Sequence, residues 1–400
     1  MDQAEKRRLG LYIHIPFCLH KCAYCDFYSF VPGDESICER YVDALISHME
    51  YYRNATADRA PDSVYIGGGT PTALPPELLI KVIRAVKRNF HLTKNAEFTV
   101  EVNPATATYK TFARMRRAGV NRISIGLQSA VPNELKALSR VHSKHDFEEC
   151  FAAARRAKID NISVDLMFGI PYQTKESLLY SVDYVTRMHP EHISLYDLRV
   201  EPNTPFGKLQ ERGQLPIPDE DSEYDMYRAA VAMMDNRGYR QYEISNFAKP
   251  GRMCKHNLKY WNCDEYLGFG PAAHSYFNGT RFSFVRNIEA YIKGIENIEN
   301  NVGITEGSEE IRGRAQMGEY IMLRLRLNEG IPLGEFRRRF GCDFLEMYGE
   351  RAGYYFKNGY MKKYGDNVFL TLPGMFVSNY ILSDILSFED LNAVSPAHSF

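Results

Sequence analysis

The sequence lacks the charge imbalance that marks many nucleic-acid-binding and membrane-surface proteins. It has 49 Lys and Arg against 50 Asp and Glu, a net charge of -1 and a pI near 6.8. It also lacks any apolar run of about 18 residues, the length that a membrane-spanning helix needs. With 44% hydrophobic and 25% charged residues, the composition is that of an ordinary globular protein with a full core. We therefore expect no nucleic-acid partner and no integral membrane segment.

The sequence also has little that suggests export. Only ten residues precede the first strand predicted from the sequence, at residues 11–15, and this is too short for a signal or transit peptide. Cysteine is scarce, because eight cysteines in 400 residues is far below the density of a disulfide-stabilised secreted protein. We expect a cytoplasmic protein whose cysteines stay reduced.

Three of the eight cysteines lie close together. Cys18, Cys22 and Cys25 follow directly after the first predicted strand, with the spacing C-x3-C-x2-C. Three thiolates at one strand end suit an iron–sulfur cluster in which one iron has no protein ligand. Two alternatives are a zinc site, which usually takes four ligands, and three unrelated buried thiols.

The first 200 residues alternate between predicted strands and predicted helices. This pattern favours a parallel sheet with helices packed outside it, either as a barrel or as an open doubly wound sheet. Polar residues leave the ends of successive strands, so we favour an α/β fold with a partial (β/α)6 barrel. The six strands are predicted at residues 11–15, 63–67, 97–102, 122–127, 161–168 and 192–198.

The ends of the predicted strands carry the polar motifs. Residues 67–71 read Gly-Gly-Gly-Thr-Pro, which lets a ligand approach the backbone but also suits an ordinary tight turn. Glu101 and Asp165 lie among apolar strand residues, where an unpaired carboxylate is costly. They either pair with a basic residue such as Arg122 or Arg140, or they bind the ammonium and ribose hydroxyls of a nucleoside-like ligand.

The rest of the chain is predicted to follow a barrel at residues 1–245. Residues 246–304 form a connecting segment, and weak periodicity over residues 246–286 predicts irregular structure there. Residues 305–388 read as three helices and a small hairpin, which predicts a winged-helix-like α+β domain. Residues 389–400 form a tail.

With these motifs in view, the chain resembles the oxygen-independent coproporphyrinogen III oxidase family of radical S-adenosylmethionine (SAM) proteins over almost its whole length. The resemblance implies that Cys18, Cys22 and Cys25 hold a [4Fe–4S] cluster whose open iron is chelated by SAM. It also implies that SAM is contacted by a set of residues around the barrel mouth, namely Tyr12, Tyr24, Gly68, Gly69, Thr70, Glu101, Gln128, Arg140 and Asp165.

The chain differs from the oxidases of this family in its cysteine motif and at its N-terminus. The oxidases extend the cysteine motif as C-x3-C-x2-C-x-C, and Phe27 occupies the position of the fourth cysteine in this chain. The oxidases also have a longer N-terminal segment. In both respects the chain is similar to the haem chaperone branch of the family.

The motif His-Asn-x-x-Tyr-Trp, at residues 256–261, marks the same branch. A neutral imidazole is a common axial ligand of haem iron, and Tyr and Trp offer flat faces to a porphyrin. A lone His beside aromatic residues is nevertheless more often structural. His256 is therefore the candidate haem ligand, with Cys254, Cys263 and His274 as runners-up.

The resemblance implies a chaperone that binds haem and a SAM-coordinated [4Fe–4S] cluster and that passes haem to an acceptor protein, including by peripheral contact with a membrane haemoprotein. The alternative is an oxidase-type enzyme that oxidatively decarboxylates the propionates of a porphyrinogen. A radical SAM methylase and a haem-degrading relative share the same SAM residues, so those residues exclude neither.

Overall fold

A computed structural model describes residues 7–296 and 303–386, and the predicted tail lies outside the described residues. The strands are β1 (Arg7–Ile15), β2 (Arg59–Gly68), β3 (Glu97–Val102), β4 (Arg122–Gln128), β5 (Ile162–Phe168), β6 (His192–Asp197), β7 (Arg240–Glu243), β8 (Asn246–Ala248), β9 (Tyr266–Phe269), β10 (His274–Phe277), β11 (Thr280–Phe284), β12 (Thr305–Glu310), β13 (Ile331–Pro332), β14 (Met361–Tyr364) and β15 (Asn367–Leu370). The helices are α1 (Glu35–Tyr52), α2 (Pro76–Asn89), α3 (Tyr109–Ala118), α4 (Pro132–Ala137), α5 (Lys144–Arg156), α6 (Lys175–Arg187), α7 (Pro205–Glu211), α8 (Glu220–Asn236), α9 (Lys255–Trp261), α10 (Ile288–Ile295), α11 (Gly313–Arg324), α12 (Leu333–Phe340), α13 (Phe344–Lys357), α14 (Leu372–Phe376) and α15 (Ser378–Ile385), with short 3-10 turns at Pro71–Ala73 and Pro104–Thr106.

The main sheet has twelve strands in the order β12-β11-β10-β9-β1-β2-β3-β4-β5-β6-β8-β7. Strands β1 to β6 are parallel to one another, as the strand–helix alternation predicts. Strand β1 pairs with β9 and β2, and β6 pairs with β5 and β8, so the six-stranded arc stays open between its first and last strands. The predicted partial (β/α)6 barrel is confirmed.

Short polar side chains fix where several outer helices begin. Thr108, Ser143 and Thr174 each accept the backbone N–H three residues further on and form capping boxes at α3, α5 and α6. Such a cap satisfies backbone donors that the first helical turn leaves free. Each helix therefore starts at a defined distance after the preceding strand.

The prediction of irregular structure for residues 246–286 is wrong. This stretch contains α9 and the strands β8 to β11, which extend the main sheet at both of its edges. The strands are three to five residues long, and β9 is buried at every position, so neither the length nor the alternation of a strand is visible in the sequence. The predicted boundary at residue 245 falls inside the β7–β8 hairpin.

The C-terminal residues form a small α+β unit around the antiparallel sheet β13-β15-β14, in agreement with the predicted winged-helix-like domain. It has its own apolar core, with Tyr320, Phe336 and Phe344 among the buried residues. Trp261 of α9 packs against Leu323 in a separate cluster and joins this unit to the barrel. No helix within the described ranges has both the length and the apolar character needed to cross a membrane.

Candidate functional site

The cysteine loop and the glycine loop are joined by their backbones. Gly69 N–H donates to Ile15 O at 2.8 Å, and Thr70 N–H donates to Phe17 O at 2.7 Å. Ile15 ends β1 and Gly68 ends β2, and these parallel strands are neighbours. The two motifs therefore lie side by side at the carboxyl end of the sheet, as predicted for strand ends in α/β proteins.

The three clustered thiols are free, with Cys18 buried and Cys22 and Cys25 partly exposed. Burial raises the pKa of the Cys18 and Cys25 thiols. Arg140 opposes this effect at Cys18 through its positive charge, and its Nη1 lies 3.5 Å from Cys22 Sγ. Thr70 Oγ1 lies 3.7 Å from Cys18 Sγ. A guanidinium and a hydroxyl therefore lie close to two of the three sulfur atoms that the sequence assigns to the cluster.

The three thiols suit the predicted cluster. An iron–sulfur cluster is held by thiolates that each bind an iron of their own, and three thiols in one loop beside a guanidinium fit that requirement. Within residues 7–296 and 303–386, no three or more His, Cys, Asp or Glu side chains are grouped so that they could hold one metal ion. The cluster assignment stays a prediction.

The glycines of residues 67–69 make room for other parts of this chain. A Cβ atom at Gly67 would lie 2.8 Å from the Glu101 carboxyl group, and one at Gly69 would lie 2.7 Å from Phe17 O. Gly68 has a φ of +110°, a conformation that side chains disfavour. The absence of side chains therefore lets the two loops and Glu101 approach one another, which the sequence alone did not reveal.

Glu101 is fixed by two hydrogen bonds near the end of β3. Tyr65 OH donates to Oε1 at 2.8 Å, and Gly68 N–H donates to Oε2 at 3.1 Å. Burial raises the pKa of Glu101 to about 7, and the negative charge of Asp165 adds to the increase. The site therefore holds a carboxylate whose charge would be stabilised by a cation.

Asp165 has a similar environment on β5. Its two oxygens accept from Ser124 Oγ at 3.0 and 3.2 Å, and burial raises its pKa. In the described parts of the chain, neither Asp165 nor Glu101 forms a salt bridge, so the pairing with Arg122 or Arg140 that the sequence left open is not found. Arg140 donates to Gly126 O at 2.7 Å, and Arg122 Nη1 lies 3.5 Å from Thr99 Oγ1.

The remaining predicted SAM residues lie around the same end of the barrel. Tyr24 lies beside Cys22 and Arg140. Gln128 has a φ of +70° and follows a β-bulge, and its Nε2 lies over Gly126 together with Arg140 Nη2. A β-bulge changes the direction of one side chain at the end of a strand, and such bulges are common next to functional sites.

An open pocket borders these groups. Cys22, Thr70 and Arg140 line it together with His20 and Asn103. Asn103 Oδ1 is buried without a hydrogen-bond partner, which is a costly arrangement unless a ligand supplies a donor. Asn103 was not among the predicted site residues, although its place directly after β3 could have indicated it.

Comparisons with known proteins agree with this arrangement. Residues 12–185 match the radical SAM superfamily, and residues 312–377 match the HemN C-terminal domain. The haem chaperone HemW of Bacillus subtilis is 35% identical over 94% of this chain and 98% of its own length. HemW of Mycobacterium tuberculosis is 32% identical over 94% of each chain. The chain belongs to the HemW family.

A solved structure confirms the fold. Coproporphyrinogen III oxidase (HemN) from Escherichia coli superimposes with a TM-score of 0.82 over 96% of this chain and 91% of its own, at 20% identity. That likeness concerns the fold alone. Membership of the radical SAM superfamily implies SAM and a [4Fe–4S] cluster as cofactors.

The motif at residues 256–261 lies far from the cluster loop in this HemW family member. It forms most of α9, whose first backbone N–H groups are capped by Glu97 at the start of β3, with His256 N–H donating to Oε1 at 3.2 Å. His256 Nδ1 lies 3.0 Å from Ser63 Oγ. Ser63 precedes Gly68 by five residues on β2, which is about 16 Å along a strand. Helix α9 thus closes the amino end of the barrel.

The side chain of His256 is fully engaged there. It is 1% exposed, and its Nε2 lies 2.9 Å from Tyr260 OH while Nδ1 contacts Ser63. Burial lowers its pKa to about 3. A haem iron could reach either nitrogen only after a hydrogen bond breaks and α9 moves away from the amino end of the barrel, which we call the barrel floor. Haem ligation by His256 stays a prediction, which this conformation does not favour.

The other candidate haem ligands are placed no better than His256 to bind haem iron. Cys254 is completely buried, its Sγ donates to Glu97 Oε1 at 3.4 Å, and burial raises its pKa to about 12. Burial also raises the pKa of Cys263. Both are held as thiols rather than thiolates. His274 begins β10 at the edge strands and is partly buried.

Proposed function

We propose that this HemW family member is a cytoplasmic haem chaperone that carries a SAM-coordinated [4Fe–4S] cluster and passes haem to an acceptor protein. The observation that carries the proposal is the similarity to haem chaperones over nearly the full length of both chains. Phe27, which replaces the fourth cysteine of the oxidases, is 61% exposed and supports the same conclusion. The acceptor is a haemoprotein, soluble or membrane-bound.

In this proposal Cys18, Cys22 and Cys25 would hold the cluster as thiolates, and SAM would bind beside them. The cluster and SAM would together supply the one-electron chemistry of the superfamily. The residues of this chain would bind and orient SAM. We assign SAM binding to the following residues of the barrel strands and of the loops beside them: Tyr12, Tyr24, Gly68, Gly69, Thr70, Glu101, Gln128, Arg140 and Asp165.

Charge complementarity supports this assignment. Burial raises the pKa of both carboxyl groups, and the negative charge of Asp165 adds to the increase at Glu101. SAM brings an ammonium and a sulfonium. Two anions without salt-bridge partners in the described chain would gain more from a cationic ligand than from a neutral one. Arg140, near the cysteine loop, suits the SAM carboxylate.

The alternative is oxidase-type chemistry on a porphyrinogen. The fold similarity to coproporphyrinogen III oxidase is the observation in its favour. At 20% identity that similarity does not extend to substrate or reaction, and a single fold hosts many reactions. The missing fourth cysteine argues against it.

One experiment tests both possibilities. Protein reconstituted anaerobically with iron and sulfide is titrated with haem, and a parallel sample receives coproporphyrinogen III, SAM and a reductant. We expect saturable haem binding, transfer of the bound haem to an added apo-haemoprotein, and no protoporphyrinogen. Formation of protoporphyrinogen at a catalytic rate would overturn the chaperone proposal. The same measurements are made on Cys22→Ser, which lacks one of the proposed cluster ligands. Cys342→Ser, which replaces a cysteine of the small domain, is its control.

A further inference from the structure

A row of three side chains connects helix α9 to the predicted SAM site. The imidazole of His256 stacks on the ring of Tyr65 with 5.4 Å between centroids and 25° between planes. Tyr65 OH donates to Glu101 Oε1 at 2.8 Å, and the other carboxylate oxygen accepts from Gly68 N–H. The row starts at the amino end of the barrel and finishes at the glycine loop.

The first member of the row cannot move freely. Ser63 and Tyr260 hold the two nitrogens of His256. A Cβ atom at Gly10 would lie 3.2 Å from Cε1 of the ring, so the imidazole is packed against β1 as well. A ring fixed at both nitrogens and on its edge is a rigid surface for Tyr65.

The second member has two aromatic neighbours. Besides His256, Tyr12 lies beside Tyr65 with 6.4 Å between centroids and 26° between planes, as its cross-strand neighbour on β1. Tyr65 therefore contacts both rings, and its hydroxyl donates to Glu101. Stacked aromatic pairs and a hydrogen bond to a carboxylate are both stabilising, so the three groups fix one another.

We propose that His256 and Tyr65 are positioning residues that set the Glu101 carboxylate for SAM, and that the His-Asn-x-x-Tyr-Trp helix acts on the SAM site rather than as a haem ligand. This inference rests on the proposed function in taking SAM as the ligand of Glu101. It gives the motif at the barrel floor an effect on the site at the opposite end.

The test measures SAM and haem binding separately on the full-length reconstituted protein. Tyr65→Phe keeps the ring and removes the hydroxyl, and we expect it to weaken SAM binding about tenfold, the effect of losing one hydrogen bond to a charged group. His256→Ala removes the stacking surface, and we expect a loss of similar size with an unchanged haem absorption spectrum and haem affinity.

Two control variants match these substitutions. His192 is a buried histidine with the same kind of partners, Ser163 Oγ at 2.8 Å and Tyr242 OH at 2.9 Å, but it does not stack on Tyr65. Tyr184 OH donates to Glu148 at 2.7 Å on the outer helices. We expect His192→Ala and Tyr184→Phe to leave SAM affinity within about twofold of the unsubstituted protein.

The outcomes are distinct. Unchanged SAM affinity in Tyr65→Phe would overturn the inference, and so would an altered haem spectrum in His256→Ala with SAM affinity kept. If the unsubstituted protein binds no SAM, the proposed function fails, and the inference is then decided by a double-mutant cycle of Tyr65→Phe and Glu101→Gln on the unfolding equilibrium. Positioning predicts coupling of about fivefold or more there, and no coupling contradicts it.

Discussion

Replacing Glu101 with Gln should change stability in a way that depends on pH. The carboxylate accepts hydrogen bonds from Tyr65 and Gly68, has no salt bridge within the described chain, and has a pKa raised from 4.5 to about 7. Glutamine has the same shape without the charge. The charged and titratable groups that face Glu101 from neighbouring elements are Tyr12, Tyr65, Arg122, Asp165, Tyr196 and Tyr260.

The sign of the effect follows from proton binding. The native protein binds a proton at Glu101 more tightly than the unfolded chain does, so the free energy of unfolding decreases as the pH rises from 4.5 through 7. The full increase in the pKa of Glu101 corresponds to a decrease of about 3 kcal/mol in the free energy of unfolding. Water in the open barrel mouth reduces this, and we expect about 2 kcal/mol.

The amide also has a cost that is independent of pH. It offers one oxygen acceptor instead of two, so one of the two hydrogen bonds to position 101 is lost, at about 1 kcal/mol. We therefore expect Glu101→Gln to be less stable than the unsubstituted protein by about 1 kcal/mol near pH 4, about equally stable between pH 5 and 6, and more stable by about 1 kcal/mol near pH 8.

Urea unfolding of the protein without cluster and SAM measures this change. The two proteins are compared at several pH values, and the difference between their free energies of unfolding is plotted against pH. Glu148→Gln is the control, because Glu148 also accepts from a tyrosine hydroxyl but lies on the outer helices. A difference that stays constant with pH for Glu101→Gln would refute the reasoning that burial makes this carboxylate unfavourable.

Three further predictions concern the cofactors. SAM affinity should fall as the pH is lowered through about 7, because Glu101 becomes neutral, and isothermal titration of the reconstituted protein would show no trend if Glu101 does not bind the ammonium. Serine at any of the three clustered cysteines should abolish the iron content and visible absorbance of the reconstituted protein, whereas Cys342→Ser should keep both. Gly69→Ala should lower the free energy of unfolding by about 1–3 kcal/mol and reduce the cluster content, because its Cβ atom would press on the cysteine loop. Gly33→Ala is the control: the space around Gly33 is open, so this substitution should have neither effect.

The barrel and its polar rim could be predicted because both depend on local patterns. Strands of five to ten residues separated by amphipathic helices imply parallel pairing, and the carboxyl ends of parallel strands meet at one edge. The cysteine loop, Gly68 and Glu101 were assigned to one site on that basis, and the backbone bonds between the two loops and the hydrogen bond from Gly68 to Glu101 bring them together.

Other features depend on contacts between distant segments and have no signature in the sequence. The strands after Asn246 are too short to show a period, and pairing with β1 and β6 at the sheet edges is what orders them. The same holds for the two carboxylates. A buried Glu or Asp in a strand predicts a partner, but Ser124, Tyr65 and a backbone N–H fill that role here instead of an arginine.

The motif at residues 256–261 shows what residue type alone leaves open. Histidine beside Tyr and Trp has the chemistry of a haem site, and nothing in the sequence tells that Ser63 and Tyr260 occupy both nitrogens or that Glu97 caps the helix. The residues of such a motif can serve to hold two parts of the fold together as well as to bind a ligand. In this fold His256 contacts Tyr65, and Tyr65 donates to Glu101, so we expect a substitution at His256 to change SAM binding rather than haem binding.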